Sequence, residues 1–480
     1  MAGKVDLVIE NALVVDGTGW PGYGADVSVK DGKIAEIGVL SDCNSRERIN
    51  GTGLVLCPGF IDVHTHDDVA LLNTPDMPFK LSQGVTTVIA GNCGMSVAPL
   101  ASTDRMPPPF PWLGEPDVYR FPTVADYRAE LETSPAAVNV ALLIGHSTLR
   151  LGAMPGDLAA AASAEEIDAM AGQLNNALSQ GAIGLSSGLE YPPAEQATME
   201  EMVTLAKVLS RHPDSIYTTH MRDEGEKVVD SVRETLETGR QSGAKVVISH
   251  HKCAGPKNYG LSTKTLNMIA EAQEHQDVTL DVYPYTASST SLIPKFIDDA
   301  ESILVSWSTP HPECEGKLLS DIATEWNCSE LEAAEKLYPA GAVYFQMDED
   351  DLRRIMAYPT TMIGSDGLPG RSKPHPRLWG TFPRVLSRYV REQALLSLQH
   401  AIRKMTGLSA ETFGLHDRGL IYPGFAADLV LFDPQKVADT ATFEEPESPA
   451  AGIRRVFVNG ELAWADGIST GSRSGRFLTH

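Results

Sequence analysis

The stretch Phe60-Ile61-Asp62-Val63-His64-Thr65-His66 (FIDVHTH, 60–66) is where the fold can first be read. It begins as a β-rich run and ends with two imidazoles at a spacing of two. In a strand that spacing puts both rings on one face, and Asp62 two residues earlier lines the same face. Seven more runs of this kind follow: 86–92 (TTVIAGN), 139–146 (NVALLIGH), 183–189 (IGLSSGL), 216–221 (IYTTHM), 245–251 (KVVISHH), 278–285 (VTLDVYPY) and 361–367 (TMIGSDG). Several are almost wholly apolar at their centres, as strands covered on both faces are. Helical patterns lie between them. In 226–240, Val228, Val229, Val232 and Leu236 fall on one face at helical spacing. Eight strand–helix alternations predict an α/β fold, a (β/α)8 TIM-like barrel.

The flanks differ from the middle. Residues 5–14, 26–30 and 33–38 are short β-rich runs with Asp-Gly punctuation, and 428–433, 453–459, the Asn459-Gly460 turn and 461–464 repeat that style. Both ends therefore read as parts of one small β-sandwich, 1–59 and 415–480, around a barrel at 60–414. The interval between Tyr285 and Thr361 is too long for one crossover. It predicts an inserted subdomain at about 286–348, with an amphipathic helix over 319–337, hanging over the barrel mouth as substrate contact or lid.

Composition removes several classes. A chain of 480 residues with 42% hydrophobic and 21% charged residues is neither disordered nor collagen-like. The 39 basic against 63 acidic side chains give a net charge of −24, without the basic footprint that nucleic acid requires. No run reaches the eighteen or so apolar residues of a membrane span. MAGKVDLVIENALVV (1–15) lacks the pattern of a secretory leader. Six cysteines without a C-x-x-C pair fit a reducing cytoplasm.

In a barrel the active site lies at the C-terminal ends of the strands. Those ends carry His64 and His66, Cys93, His146, Glu190, His220, His250 and His251, Tyr283, and Asp366. Six of the eight end at or beside His, Cys or Asp, the zinc ligand set. Three other motifs carry less. Gly17–Gly22 matches G-x-G-x-x-G, but Pro21 and hairpin surroundings leave no helix to hold a pyrophosphate. Gly184–Gly188 matches the G-x-S-x-G elbow, but Leu189-Glu-Tyr-Pro-Pro193 follows where a helix is needed; a serine hydrolase using Ser186 is the alternative it leaves. The proline-rich 104–117 reads as rim structure.

The run Pro58–His66 after an N-terminal β segment resembles the opening of the amidohydrolase superfamily. SQGVTTVIAGNCG (82–94), GHSTLR (145–150), THMRDE (219–224), VVISHHK (246–252), DVYPY (281–285), IGSDGLP (363–369) and HPRLWGTFPRVL (375–386) resemble one branch, the N-acyl-D-amino-acid deacylases. PGFAADLVLFD (423–433) carries the likeness into the C-terminal β segment, so it spans nearly the whole chain. The resemblance implies a tightly held Zn2+ on Cys93, His220 and His250, and a second, weaker position at His64 and His66 with Asp366. Relatives often carry a carboxylated lysine at the end of the fourth strand; this strand has none, and Cys93 is its replacement in this branch. His146 and His251 are left between ligation and a supporting role.

The activity so implied is zinc-assisted hydrolysis of a small-molecule N-acyl-D-amino acid, with Asp366 as general base and then acid. Lys252, Tyr283 and Arg377 would bind the α-carboxylate. The stretches 288–299 and 307–314 more closely resemble the deacylases specific for N-acyl-D-glutamate, but Lys295 and Phe296 stand where an arginine is commonly expected. Lys295 would pair a γ-carboxylate; Phe296 would line an apolar pocket, giving a broad D-aminoacylase. A non-catalytic scaffold barrel would lack metal ligands, and here every proposed ligand is present.

Overall fold

The computed structural model describes residues 4–101, 106–370 and 373–480. Eight parallel strands follow one another round one sheet in chain order: Phe60–Asp62, Val85–Ala90, Asn139–Gly145, Gly184–Gly188, Ile216–His220, Lys245–Ile248, Val278–Val282 and Thr361–Ile363. Each lies inside its expected run or starts one residue before it. The helix expected over 226–240 forms at Val228–Ser242, buries Val228 and Val232, and stops where Gly243 turns left-handed at φ 72°. Ile61, Val63, Ile89, Ala141, Leu143, Ile183, Ile216, Val247 and Met362 form one buried cluster with Leu408, Phe413 and Leu478. The last three come from the helix Gly407–Thr412 and its exit, and from the chain end. Leu478 donates its amide to Val140 O at 2.7 Å, so the final residues run back to the barrel instead of staying with the chain-end sheet.

The ends of the parallel sheet meet at a bridge between Thr65 and Gly367. Asp366 N donates to His64 O at 2.7 Å, and His66 N to Gly367 O at 2.9 Å. Below this bridge Asp62 holds the seam. Its Oδ1 accepts from Ser365 N at 2.8 Å, and its Oδ2 from Ser365 Oγ and Lys80 Nζ, both at 2.6 Å. Lys80 is fully buried and also reaches Thr65 Oγ1 at 3.0 Å and Asp67 at 3.1 Å. The first strand stops at Asp62. The expected alternation therefore does not continue: Ile61 and Val63 enter the inner cluster, Asp62 turns to Lys80, and both imidazoles lie beyond the strand at the mouth.

The chain ends build a nine-stranded mixed sheet joined where Val55–Pro58 pairs antiparallel with Leu429–Phe432. All nine strands are linked by hydrogen bonds, with Leu7, Ile9, Val27, Val29, Leu429 and Leu431 in its core. The Asp31-Gly32 and Asn459-Gly460 turns have positive φ at both positions (51° and 75°; 49° and 83°), as two-residue hairpin turns require. The turns touch: a Cβ on Gly32 would lie 2.7 Å from Asn459 O.

Between the seventh and eighth barrel strands, Ala287–Ser291, Ser302–Ser308 and Ala340–Phe345 form a separate three-stranded sheet. The helix expected over 319–337 is two helices, Leu319–Glu325 and Glu330–Leu337. Asn327 turns left-handed (φ 49°), and Ser329 starts the second helix through a capping box with Glu332.

Replacing Lys80 by Met leaves Asp62 and Asp67 buried without their cation. The expected loss is about 3–5 kcal/mol, read from the urea midpoint at constant m-value. A loss below about 1 kcal/mol would show that the seam holds without the lysine.

Candidate metal centre

The groups at the barrel mouth are set there by unusual backbone. Cys93, His250 and Asp366 all have positive φ, at 53°, 34° and 49°. Such conformations cost non-glycine residues of order 1–3 kcal/mol and persist only where the surroundings fix them. For Cys93 the fixing group is Ser186, whose Oγ accepts from Gly94 N at 3.0 Å and donates to Gly91 O at 2.5 Å. For His250 it is Asp281, which accepts the His250 amide at 2.9 Å. For Asp366 it is the seam itself.

Cys93 Sγ lies 3.2 Å from His64 Nε2 and 3.5 Å from His250 Nε2. Asp366 Oδ1 lies 3.5 Å from His64 Nε2 and 3.3 Å from His66 Nε2. Ligand atoms of His64, Cys93, His250 and Asp366 all fall within 4.8 Å of one another, as do those of His220, Glu224 and His250, and every one of these residues is buried. A carboxylate backs each of three imidazoles. Glu224 Oε1 is 2.9 Å from His250 Nδ1, Glu190 Oε2 is 3.0 Å from His220 Nε2, and Asp281 faces His64 Nδ1 at 3.5 Å. Such outer carboxylates orient metal-binding imidazoles.

The electrostatics suit a cation. Burial raises the Cys93 thiol, but His64, His250 and His220 around it hold it well below the usual value, which favours the thiolate, the form able to bind a metal. Burial opposes the charged form of His220, yet Glu224, Cys93 and Glu190 raise it to about 10. Burial opposes ionisation of Asp366, but Arg377, His250, His66 and His64 keep it well below the carboxylate range.

The other expected residues take several places. Arg377 pairs with Asp366 at 2.8 Å and lies over the Tyr283 ring at 4.6 Å; its Nε and Nη1 are buried without a partner among the described residues. Lys252 Nζ is engaged by Glu224 at 2.6 Å and by His250 Nδ1 at 2.8 Å. Lys295 pairs with Glu190 at 3.1 Å. Of 104–117, residues 106–117 are described; the stretch is more than rim, since Trp112 lines the same cavity of about 160 Å³ as Tyr191, Phe296 and Leu368. His251 bonds Thr265 at 2.8 Å, and burial pushes it down to about 4. His146 bonds Glu201 at 2.8 Å, and Arg150 holds the same carboxylate at 2.5 and 2.7 Å. Neither is among the clustered ligand atoms. Ser186 is buried and spent on the Cys93 loop, so it is no nucleophile.

Glu224 and Asp281 were not singled out in the sequence. Their signals were present: Glu224 stands four residues after His220, and Asp281 is an acid inside the strand Val278–Val282.

A barrel whose mouth gathers a thiolate, imidazoles and carboxylates in this way is a metal-dependent hydrolase. The chain belongs to the amidohydrolase family, whose model (Amidohydrolase family) matches residues 47–463. It is 50% identical over 473 residues to a D-aminoacylase of Alcaligenes xylosoxydans xylosoxydans, covering 98% of this chain and 97% of that protein. It is 46% identical over 461 residues to an N-acyl-D-glutamate deacylase of the same organism, covering 96% and 94%. The crystal structure of the N-acyl-D-glutamate deacylase from Bordetella bronchiseptica, complexed with zinc and a phosphonate mimic of the tetrahedral intermediate, matches with TM-score 0.95 at 45% identity and covers all of both chains.

The His146–Glu201–Arg150 cluster gives a pH prediction. Burial opposes ionisation of Glu201, but His146 and Arg150 lower it from 4.5 to about 2. Its stabilisation is therefore complete above about pH 4.5 and is lost as pH falls toward about 2. Glu201→Gln is expected to cost about 3–5 kcal/mol at pH 7, because it strands Arg150. The gap between parent and variant should narrow across that acid range in urea titrations. A gap independent of pH would assign the cost to packing.

Proposed function

We propose that this chain hydrolyses the amide bond of N-acyl-D-amino acids, releasing a carboxylate and the free D-amino acid. The observation that carries the reading is Arg377. One nitrogen of its guanidinium holds Asp366, while Nε and Nη1 are buried with no partner among the described residues, so an anion seat adjoins the acid–base group.

Cys93, His220 and His250 would hold one zinc ion tightly, and His64 and His66 with Asp366 a second more weakly. When bound, zinc supplies Lewis-acid polarisation of the acyl carbonyl and a lowered pKa of water. The chain's own residues do the rest. Asp366, kept ionised by Arg377, takes the water proton on Oδ1, the oxygen facing His64 and His66, and returns it to the departing amine. Arg377 binds the α-carboxylate through an N–H that Asp366 leaves free, with Tyr283 beneath it. Lys252, engaged by Glu224 and His250, lends its positive field across the Tyr283 ring, 5.7 Å away. Fixing the carboxylate and the acyl carbonyl leaves one arrangement for the side chain, which selects D over L.

For that side chain we favour N-acyl-D-glutamate, its γ-carboxylate meeting Lys295. A second reading, a broad D-aminoacylase for apolar substrates, is favoured by the Lys295–Glu190 pair and by Phe296 beside it. No helix among the described residues is long and apolar enough to cross a membrane. The unpaired state of all six cysteines supports a cytoplasmic enzyme.

Initial rates of amine release from N-acetyl-D-glutamate, N-acetyl-D-leucine and their L-enantiomers test this function. D-activity without L-activity is expected, and no D-activity would overturn it. Asp366→Ala should lower kcat by about 10²–10⁴-fold with the tightly held zinc retained; near-parental turnover would remove Asp366 from the mechanism. Lys295→Met should raise KM for the acidic substrate alone. An equal rise for N-acetyl-D-leucine would exclude charge pairing.

A further inference from the structure

Lys295 does not stand free at the pocket. It comes from the inserted segment, on the short turn Pro294–Asp299, and its Nζ lies 4.8 Å over the Phe296 ring and 3.1 Å from Glu190 Oε1. Glu190 follows the fourth barrel strand and gives its other oxygen to His220 Nε2 at 3.0 Å. The two partners differ in freedom: the Lys295 side chain is 53% exposed, that of Glu190 8%. Glu190 is fixed from below by His220, while the lysine can turn. The same cavity is lined by Asp223, Glu226 and Asp299. An arriving dianion therefore meets one mobile cation that already has a carboxylate partner, in a mouth with an excess of acid.

Resting on the reading of Lys295 as the side-chain cation, we propose that Glu190 is a specificity-determining residue. It is a built-in competitor that holds Lys295 and limits how strongly the pocket prefers an acidic over an apolar D-amino acid. A γ-carboxylate must share Lys295 with a buried carboxylate that cannot withdraw, and the two anions repel. An apolar side chain packs on Phe296 and leaves the pair intact. Nothing in this competition needs Glu190 to touch the reacting atoms.

Glu190→Gln separates the two duties of the residue. The amide oxygen still accepts from His220 Nε2, whereas the amide nitrogen turned toward Lys295 is a donor facing a donor and releases the lysine. Whatever happens to kcat, the ratio of KM for N-acetyl-D-glutamate to KM for N-acetyl-D-leucine is expected to fall by about fivefold or more. In a Lys295→Met background the same substitution should leave the ratio unchanged. Calorimetric binding of the free products, D-glutamate against D-leucine, should move in the same direction without turnover.

A ratio that does not move, or that falls equally without Lys295, overturns the proposal. If the parent turns over neither acyl-D-substrate, the functional reading fails. The calorimetric ratio of D-glutamate to D-leucine then still decides whether Glu190 and Lys295 compete for a carboxylate.

Discussion

The seam that closes the barrel is the constraint on which the rest depends. The first and eighth strands are only three residues long each, Phe60–Asp62 and Thr361–Ile363, too short to close a barrel by a long ladder. Closure is instead made by one carboxylate. Asp62 takes the amide and hydroxyl of Ser365 and is neutralised by Lys80, and one step further the His64 and Asp366 backbones join. The residues just past this seam are His64, His66 and Asp366. The interaction that closes the fold therefore also fixes the distance between two imidazoles and the Asp366 carboxylate.

The same economy explains the fourth strand. The backbone of the Cys93 loop packs directly against the end of this strand. A Cβ on Gly188 would lie 2.2 Å from Cys93 O, and one on Gly94 would lie 2.8 Å from Gly188 N. Gly184-Leu-Ser-Ser-Gly188 is therefore a seat for a loop, and Ser186 is the peg within it. A sequence motif shared with nucleophile elbows has another physical origin, the need for backbone to approach backbone.

Around this scaffold the charges form two parallel chains, His250–Glu224–Lys252 and His220–Glu190–Lys295. Each runs from an imidazole at the centre through a carboxylate to an ammonium. The first is buried throughout and acts as a fixed support. The second ends on a half-exposed lysine in the inserted subdomain, so it joins the centre to a cation that is free to move at the cavity. Burial separates a structural ion pair from one that can exchange partners.

Much of this was legible in the sequence. The eight strands and their order could be read because apolar runs between amphipathic helices have one compact solution. His64, His66, Cys93, His220, His250 and Asp366 stood out with other residues at strand ends, where a barrel gathers its chemistry, and the family resemblance set them apart as the ligand set. That local reading failed where direction depends on partners far along the chain. Alternation put Asp62 beside His64, but the strand ends at Asp62, whose carboxylate is drawn to a lysine 18 residues on and a serine 303 residues on. His146 and His251 share the strand-end signal and still belong to the packing. Lys252 and Lys295 are cations in any reading of the chain. Which carboxylate each one meets depends on loops that only the closed barrel brings together, because side-chain pairing is set by distance in space and not by position in sequence.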